Sequence, residues 1–199
     1  MAKGGSYERE VCDLLSLWWC GDPDRRIFWR SHSSGGMATV RSKKGKSSHL
    51  HCGDIYAMDP AGQPLIDLFA IEVKRGYNAD TWHTELDRPP RKQMKPQAFE
   101  RWVVQAADAA DNSGAPYWLL VTRRDKKLPL VTLLASAASD LMILGSLLSD
   151  RAPSATLRVA VDGVWQNLVC LCLADFLTLV KPQRVTEIAR TLTKARRVS

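Results

Sequence analysis

The stretch Ile66-Asp-Leu-Phe-Ala-Ile-Glu-Val-Lys74 constrains this chain most, because it sets an acid and a lysine at alternate positions of an otherwise apolar strand. Side chains alternate faces along a strand, so Glu72 and Lys74 share one face while Phe69, Ile71 and Val73 share the other. The second face reads as core. The first must meet something that satisfies a carboxylate and an ammonium.

A second strand is predicted just before it, over Leu50 to Met58, with Pro60-Ala-Gly-Gln-Pro64 as the intervening turn. The expected arrangement is therefore a hairpin. With Ala61 to Leu65 as its loop, Asp54 falls directly opposite Glu72, with Cβ atoms about 4.5–5.5 Å apart. Two opposed carboxylates repel unless a cation lies between them. Hard oxygen ligands in that arrangement suit Mg²⁺ or Mn²⁺. Such an ion polarises a phosphodiester and lowers the pKa of a bound water. Lys74 is placed to orient or deprotonate that water and to neutralise charge developing on the phosphate.

Upstream, residues 6–20 read as a helix whose apolar stripe is Val11, Cys12, Leu15, Trp18 and Trp19. Glu8 lies on the same inward stripe, so it is a candidate fourth group, held by a metal or its water shell. Ile27 to His32 reads as a short strand, and 33–48 as a Gly/Ser/Lys loop. Arg30 and Ser31 end that strand; with Lys43, Lys44 and Lys46 of the loop they are candidate contacts to a nucleic-acid backbone.

Beyond the central pair, residues 75–95 read as an irregular connection and Pro96 to Ala110 as a helix ending at Asn112-Ser-Gly114. Gln97 and Gln105 on that helix are weaker candidates for the same site. Strands are expected at Tyr117–Thr122 and Leu130–Leu134, and a helix over Ser139–Leu148. A hairpin is expected from Leu157–Val161 and Trp165–Cys172 around Asp162-Gly163. The last 25 residues read as helical, broken at Pro182. The fold class is mixed α/β, with residues 1–135 as the core and 136–199 as a C-terminal hairpin and helical extension packed on it.

Gly53-Asp54-Ile55 followed 18 positions later by Glu72-Val73-Lys74 resembles the D-x(n)-E-x-K signature of PD-(D/E)XK nucleases, with Gly53 where that motif has proline. The leading Gly5-x-x-Glu8-Arg9-Glu10 and the pair Arg30-Ser31 are similar to the archaeal Holliday-junction resolvase branch and its phage relatives. The resemblance implies a restriction-endonuclease-like core, a mixed sheet flanked by helices. It also implies a metal held by Asp54 and Glu72, a water assisted by Lys74, and a site completed by Glu8. The implied activity is Mg²⁺- or Mn²⁺-dependent cleavage of DNA, with branched DNA one substrate and a homodimer one assembly left open. The alternatives are a non-catalytic DNA-binding module on the same fold and a phage assembly protein with a basic surface.

Composition narrows the classes further. The 28 Lys and Arg against 21 Asp and Glu give a net charge of +7, which suits a polyanionic partner. No stretch approaches the roughly 20 apolar residues of a membrane span, and the first ten residues have no signal-peptide core. Five cysteines at irregular spacing suggest reduced thiols and a cytoplasmic setting. His49, His51 and Cys52 with Cys170 and Cys172 fit no standard zinc spacing. No P-loop, dinucleotide fingerprint or hydrolase elbow is present.

Overall fold

The sheet topology follows from strands buried on both faces. In the computed structural model, which describes residues 3–31, 53–76, 97–145, 153–161 and 163–198, a five-stranded sheet runs through the molecule. Its strands are β3 (Phe69–Arg75), β4 (Tyr117–Arg123), β5 (Leu130–Leu134), β6 (Ser154–Val161) and β7 (Val164–Cys172), in the order β3-β4-β5-β7-β6. The β3–β4 pair is parallel and the rest are antiparallel. Phe69, Ile71, Val73, Leu119 and Val121 point to one face, where they join Tyr7, Val11, Cys12 and Leu15 of helix α1 (Lys3–Cys20). Ala70, Trp118 and Leu120 point to the other, against Phe99, Val103 and Ala106 of helix α3 (Ala98–Ser113). Parallel neighbours need a crossover of a dozen or more residues, and α3 lies within it. Its C-cap is Gly114, whose φ of 73° is the left-handed conformation that glycine adopts without strain.

The expected hairpin of Leu50–Met58 with Ile66–Lys74 does not form. Strand β2 (Ile55–Ala57) pairs antiparallel with β1 (Phe28–Arg30), placing Trp29 opposite Tyr56. The stretch between β2 and β3 is a 3₁₀ turn, Pro60–Gly62, followed by helix α2 (Gln63–Leu68). Asp59 caps the turn, its carboxylate accepting from Ala61 N at 2.9 Å. Leu65 and Leu68, both fully buried, lie three residues apart, a helical spacing that anchors one face of α2. Ile66 to Leu68 therefore belong to that helix, and the strand begins at Phe69.

The remaining elements are α4 (Ala135–Asp140), α5 (Leu173–Leu179) and α6 (Pro182–Val198). The C-terminal hairpin expected around Asp162-Gly163 is β6–β7, and β7 bonds to β5 from Leu130↔Cys172 to Leu134↔Leu168. Residues beyond 135 thus supply two strands of the central sheet, and α6 packs on α2. The mixed α/β, restriction-endonuclease-like architecture is as expected. The 33–48 loop, with Lys43, Lys44 and Lys46, lies outside the described residues. So do His49, His51, Cys52 and most of the connection expected over 75–95.

Candidate active site

The site is built on the edge of β3 that β4 leaves free. There the chain just before β2 runs against β3: Asp54 N donates to Ile71 O at 2.7 Å. The Asp54 carboxylate then accepts from Val73 N at 2.8 Å, so a side chain takes the place of a strand partner that is absent among the described residues. This contact, rather than a hairpin register, brings Asp54 to Glu72.

Gly53 makes the approach possible. Its φ is +98°, which an L side chain rarely adopts, and a Cβ there would sit 2.9 Å from Ile71 O. Proline, locked near φ −65°, cannot occupy this backbone. That explains why glycine stands where the usual motif has proline. Gly53→Ala is expected to destabilise the fold by about 1–3 kcal/mol; an unchanged midpoint in chemical denaturation would contradict it. From the other side, Ser31 N donates to Asp54 O and Ser31 Oγ donates to Gly53 O, each at 2.8 Å. Ser31 is 1% exposed, so its hydroxyl is turned to this loop rather than to solvent.

Asp54 and Glu72 are 7% and 3% exposed, and their carboxylates are within hydrogen-bonding reach of each other. Burial raises the pKa of Asp54, and the neighbouring Glu72 charge raises it further. The Val73 amide and Lys74 oppose the rise, and the net value is about 7. Lys74 Nζ pairs with Glu72 Oε1 on the same strand face. The three residues singled out by sequence pattern are therefore together.

Glu8 is 9% exposed on α1, and its Oε2 lies 3.6 Å from Arg30 Nε. Arg30 Nη1 also donates to Gly5 O at 3.4 Å, and a Cβ on Gly5 would collide with that nitrogen. Gly5 thus leaves room for the arginine that steadies Glu8, a physical basis for the Gly5-x-x-Glu8 pattern. Cys12 marks the common ground. Burial pushes its thiol up to about 12, the acids Asp13, Glu8 and Asp54 add to the rise, and Arg30 opposes it. Gln97 caps α3, its backbone N donating to Glu100 Oε2 at 2.9 Å, and Gln105 is exposed.

The donor set suits a hard divalent cation. Two buried carboxylates converge with, among the described residues, Lys74 beside them to compensate them, and a cation between them removes their repulsion. Among the described residues, no group of three or more His, Cys, Asp or Glu side chains is placed to hold a metal ion. Asp54 and Glu72 are thus the candidate ligand pair, and Glu8 lies beside Arg30. Cys12, Cys20, Cys170 and Cys172 are free thiols. No helix among the described residues is long and apolar enough to cross a membrane.

Sequence pattern missed the supports of the site: the Val73 amide, the Ser31 hydroxyl and the space at Gly5. Only the glycines left a trace in the sequence, since a glycine before a functional residue signals unusual backbone or close approach.

Compared with known proteins, residues 1–186 match the model of one family, described as "Phage putative PDDEXK endonuclease". No curated protein and no solved structure matches the chain.

Proposed function

We propose, because the chain belongs to this phage PD-(D/E)XK endonuclease family, that it hydrolyses phosphodiester bonds in DNA with the aid of Mg²⁺ or Mn²⁺. The observation that carries the proposal is the convergence of two buried carboxylates, Asp54 and Glu72, beside Lys74 on the side of β3 away from β4.

Asp54 and Glu72 would hold the cation. When bound, it supplies a Lewis acid to the phosphate and acidifies a water. The chain's own groups do the rest. The Val73 amide fixes one Asp54 oxygen, leaving the other for ligation. Ser31 holds the Gly53–Asp54 backbone in place, which is the role we give it instead of a phosphate contact. Lys74 orients the attacking water and balances the charge that grows on the phosphate. Glu8 acts at one remove, orienting Arg30 toward the DNA strand and bonding to the water shell of the site.

The test is incubation of the purified chain with linear, flapped and four-way branched DNAs, with Mg²⁺ or Mn²⁺ and with EDTA. Cutting that requires the metal supports the nuclease reading. A preference for the four-way substrate would extend it to the junction selectivity implied by the resolvase resemblance. Metal-independent binding with no cutting of any substrate would favour a binding module instead.

Lys43, Lys44 and Lys46 are proposed as backbone contacts. Replacing all three with alanine should weaken binding to every sequence about equally. It should also flatten the salt dependence by a slope of about 0.9 for each duplex phosphate no longer neutralised. Loss of affinity for one sequence alone would show base readout and contradict this.

A further inference from the structure

Next to the catalytic strand, on the face opposite Glu72 and Lys74, lies a group of hydrogen-bond donors short of acceptors. Arg75 follows Lys74 directly and is paired in register with Arg123 of β4. Both guanidiniums lie over the ring of Tyr7, at 5.9 and 5.7 Å from its centroid. Tyr7 is fully buried, and its hydroxyl has no hydrogen-bond partner among the described residues. Arg75 Nε is also buried and without a hydrogen-bond partner among them, with Asp125 Oδ1 3.8 Å away, beyond hydrogen-bond range. Arg123 is held at the rim by Glu10, a half-exposed acid, and its Nε donates to Lys127 O at 3.3 Å.

Buried polar groups in folded proteins almost always find partners, and two orphans in one cluster require an account. Burial holds the Tyr7 hydroxyl protonated, its pKa pushed well up, so it can serve as a donor. The group therefore offers a phenol and two arginines to an acceptor with several oxygens. Arginine's planar fork matches phosphate in a way that single-point donors do not.

We propose that Tyr7, Arg75 and Arg123 form a binding site for a backbone phosphate of the DNA strand, one residue along β3 from the cleavage site, with Glu10 as the internal competitor that the phosphate displaces. The substrate here rests on the nuclease reading, but the site is a separate claim. Its place at the C-terminal ends of β3 and β4 lets it grip the strand on one side of the scissile bond. It would thereby fix which phosphate faces Asp54 and Glu72.

The test is DNA affinity in EDTA, by fluorescence anisotropy of a labelled duplex over a salt series, with thermal melting of each variant. Tyr7→Phe keeps the ring and removes only the orphaned hydroxyl. It should melt no lower than wild type yet bind about tenfold more weakly, as befits a lost hydrogen bond to a charged group. Arg75→Gln should weaken binding about tenfold and lower the salt slope by about 0.9. Glu10→Gln frees Arg123 without touching any donor and should bind several-fold more tightly. It keeps the test valid where an arginine variant fails to fold. Wild-type affinity in both Tyr7→Phe and Glu10→Gln overturns the site. A chain that binds DNA, responds to these variants and yet never cuts would refute the nuclease reading and leave the phosphate site standing. A wild-type chain that binds no DNA would refute both.

Discussion

Replacing Glu72 with alanine should lower the cleavage rate by roughly 10³-fold or more, the scale on which a lost group in transition-state charge stabilisation is felt. DNA binding should survive. Glu72 is 3% exposed and shares its site with Asp54 and Lys74, so the substitution removes a proposed metal ligand and the partner of the lysine together. Binding in EDTA should even tighten, because a negative charge near the phosphates is gone. Lys74→Ala should cost comparably in rate, since the two carboxylates then face each other without the lysine that balances them. Single-turnover cleavage with saturating Mg²⁺ measures both effects. A Glu72→Ala chain that cuts at the wild-type rate would remove Asp54, Glu72 and Lys74 from the mechanism.

Asp54→Asn should make the metal-free protein more stable above neutral pH while ending cleavage. The sign follows from the raised pKa of Asp54, about 7 when folded against 3.8 for the unperturbed group. Below pH 4 the group is protonated in both states and has no effect. Between about 4 and 7 the folded chain keeps its proton while the unfolded chain has lost it, so stability falls as pH rises. By pH 8 the deficit from this one group is on the order of 4 kcal/mol. Asparagine never ionises, and its amide oxygen can still accept from Val73 N. The melting temperature of Asp54→Asn should therefore exceed that of wild type at pH 8 in EDTA, with the gap narrowing as pH falls and closing below about pH 4. Adding Mg²⁺ at pH 8 should raise the wild-type midpoint and leave the variant's nearly unmoved. Equal midpoints at pH 8 in EDTA would mean that Asp54 is not strained by its charge.

The candidate site residues were legible because their chemistry conflicts with their surroundings. An acid and a lysine at alternate positions of Phe69–Lys74 have no structural reason to be there. The helical stripe of Val11, Cys12 and Leu15 likewise fixed which face of α1 turns inward, and Glu8 with it. Strand partners were not legible. β3 is buried on both faces over Phe69–Val73, and periodicity says nothing of which neighbour it takes, so proximity in sequence suggested a hairpin. The partner is Tyr117–Arg123, more than forty residues away, joined in parallel. The helix Gln63–Leu68 was hidden for a related reason: two buried leucines and two nearby prolines read equally well as a turn. The convergence of Asp54 with Glu72 was foreseen, but its cause was not, because side-chain bonds to strand edges leave no mark on hydropathy.

The bond from Val73 N to Asp54 has a consequence for how the protein behaves in a crowded solution. An open strand edge is a template on which another chain can add a strand and begin an aggregate. Here the carboxylate occupies the amide that such a strand would need, so the residue proposed to bind metal also guards the edge against misassembly. Alanine at 54 would lose the metal ligand and the guard at once, leaving a chain that is inactive and sticky. Asparagine would lose the ligand alone. At position 54, ending the proposed cleavage and keeping the protein monodisperse are compatible only through a residue that can still accept a hydrogen bond.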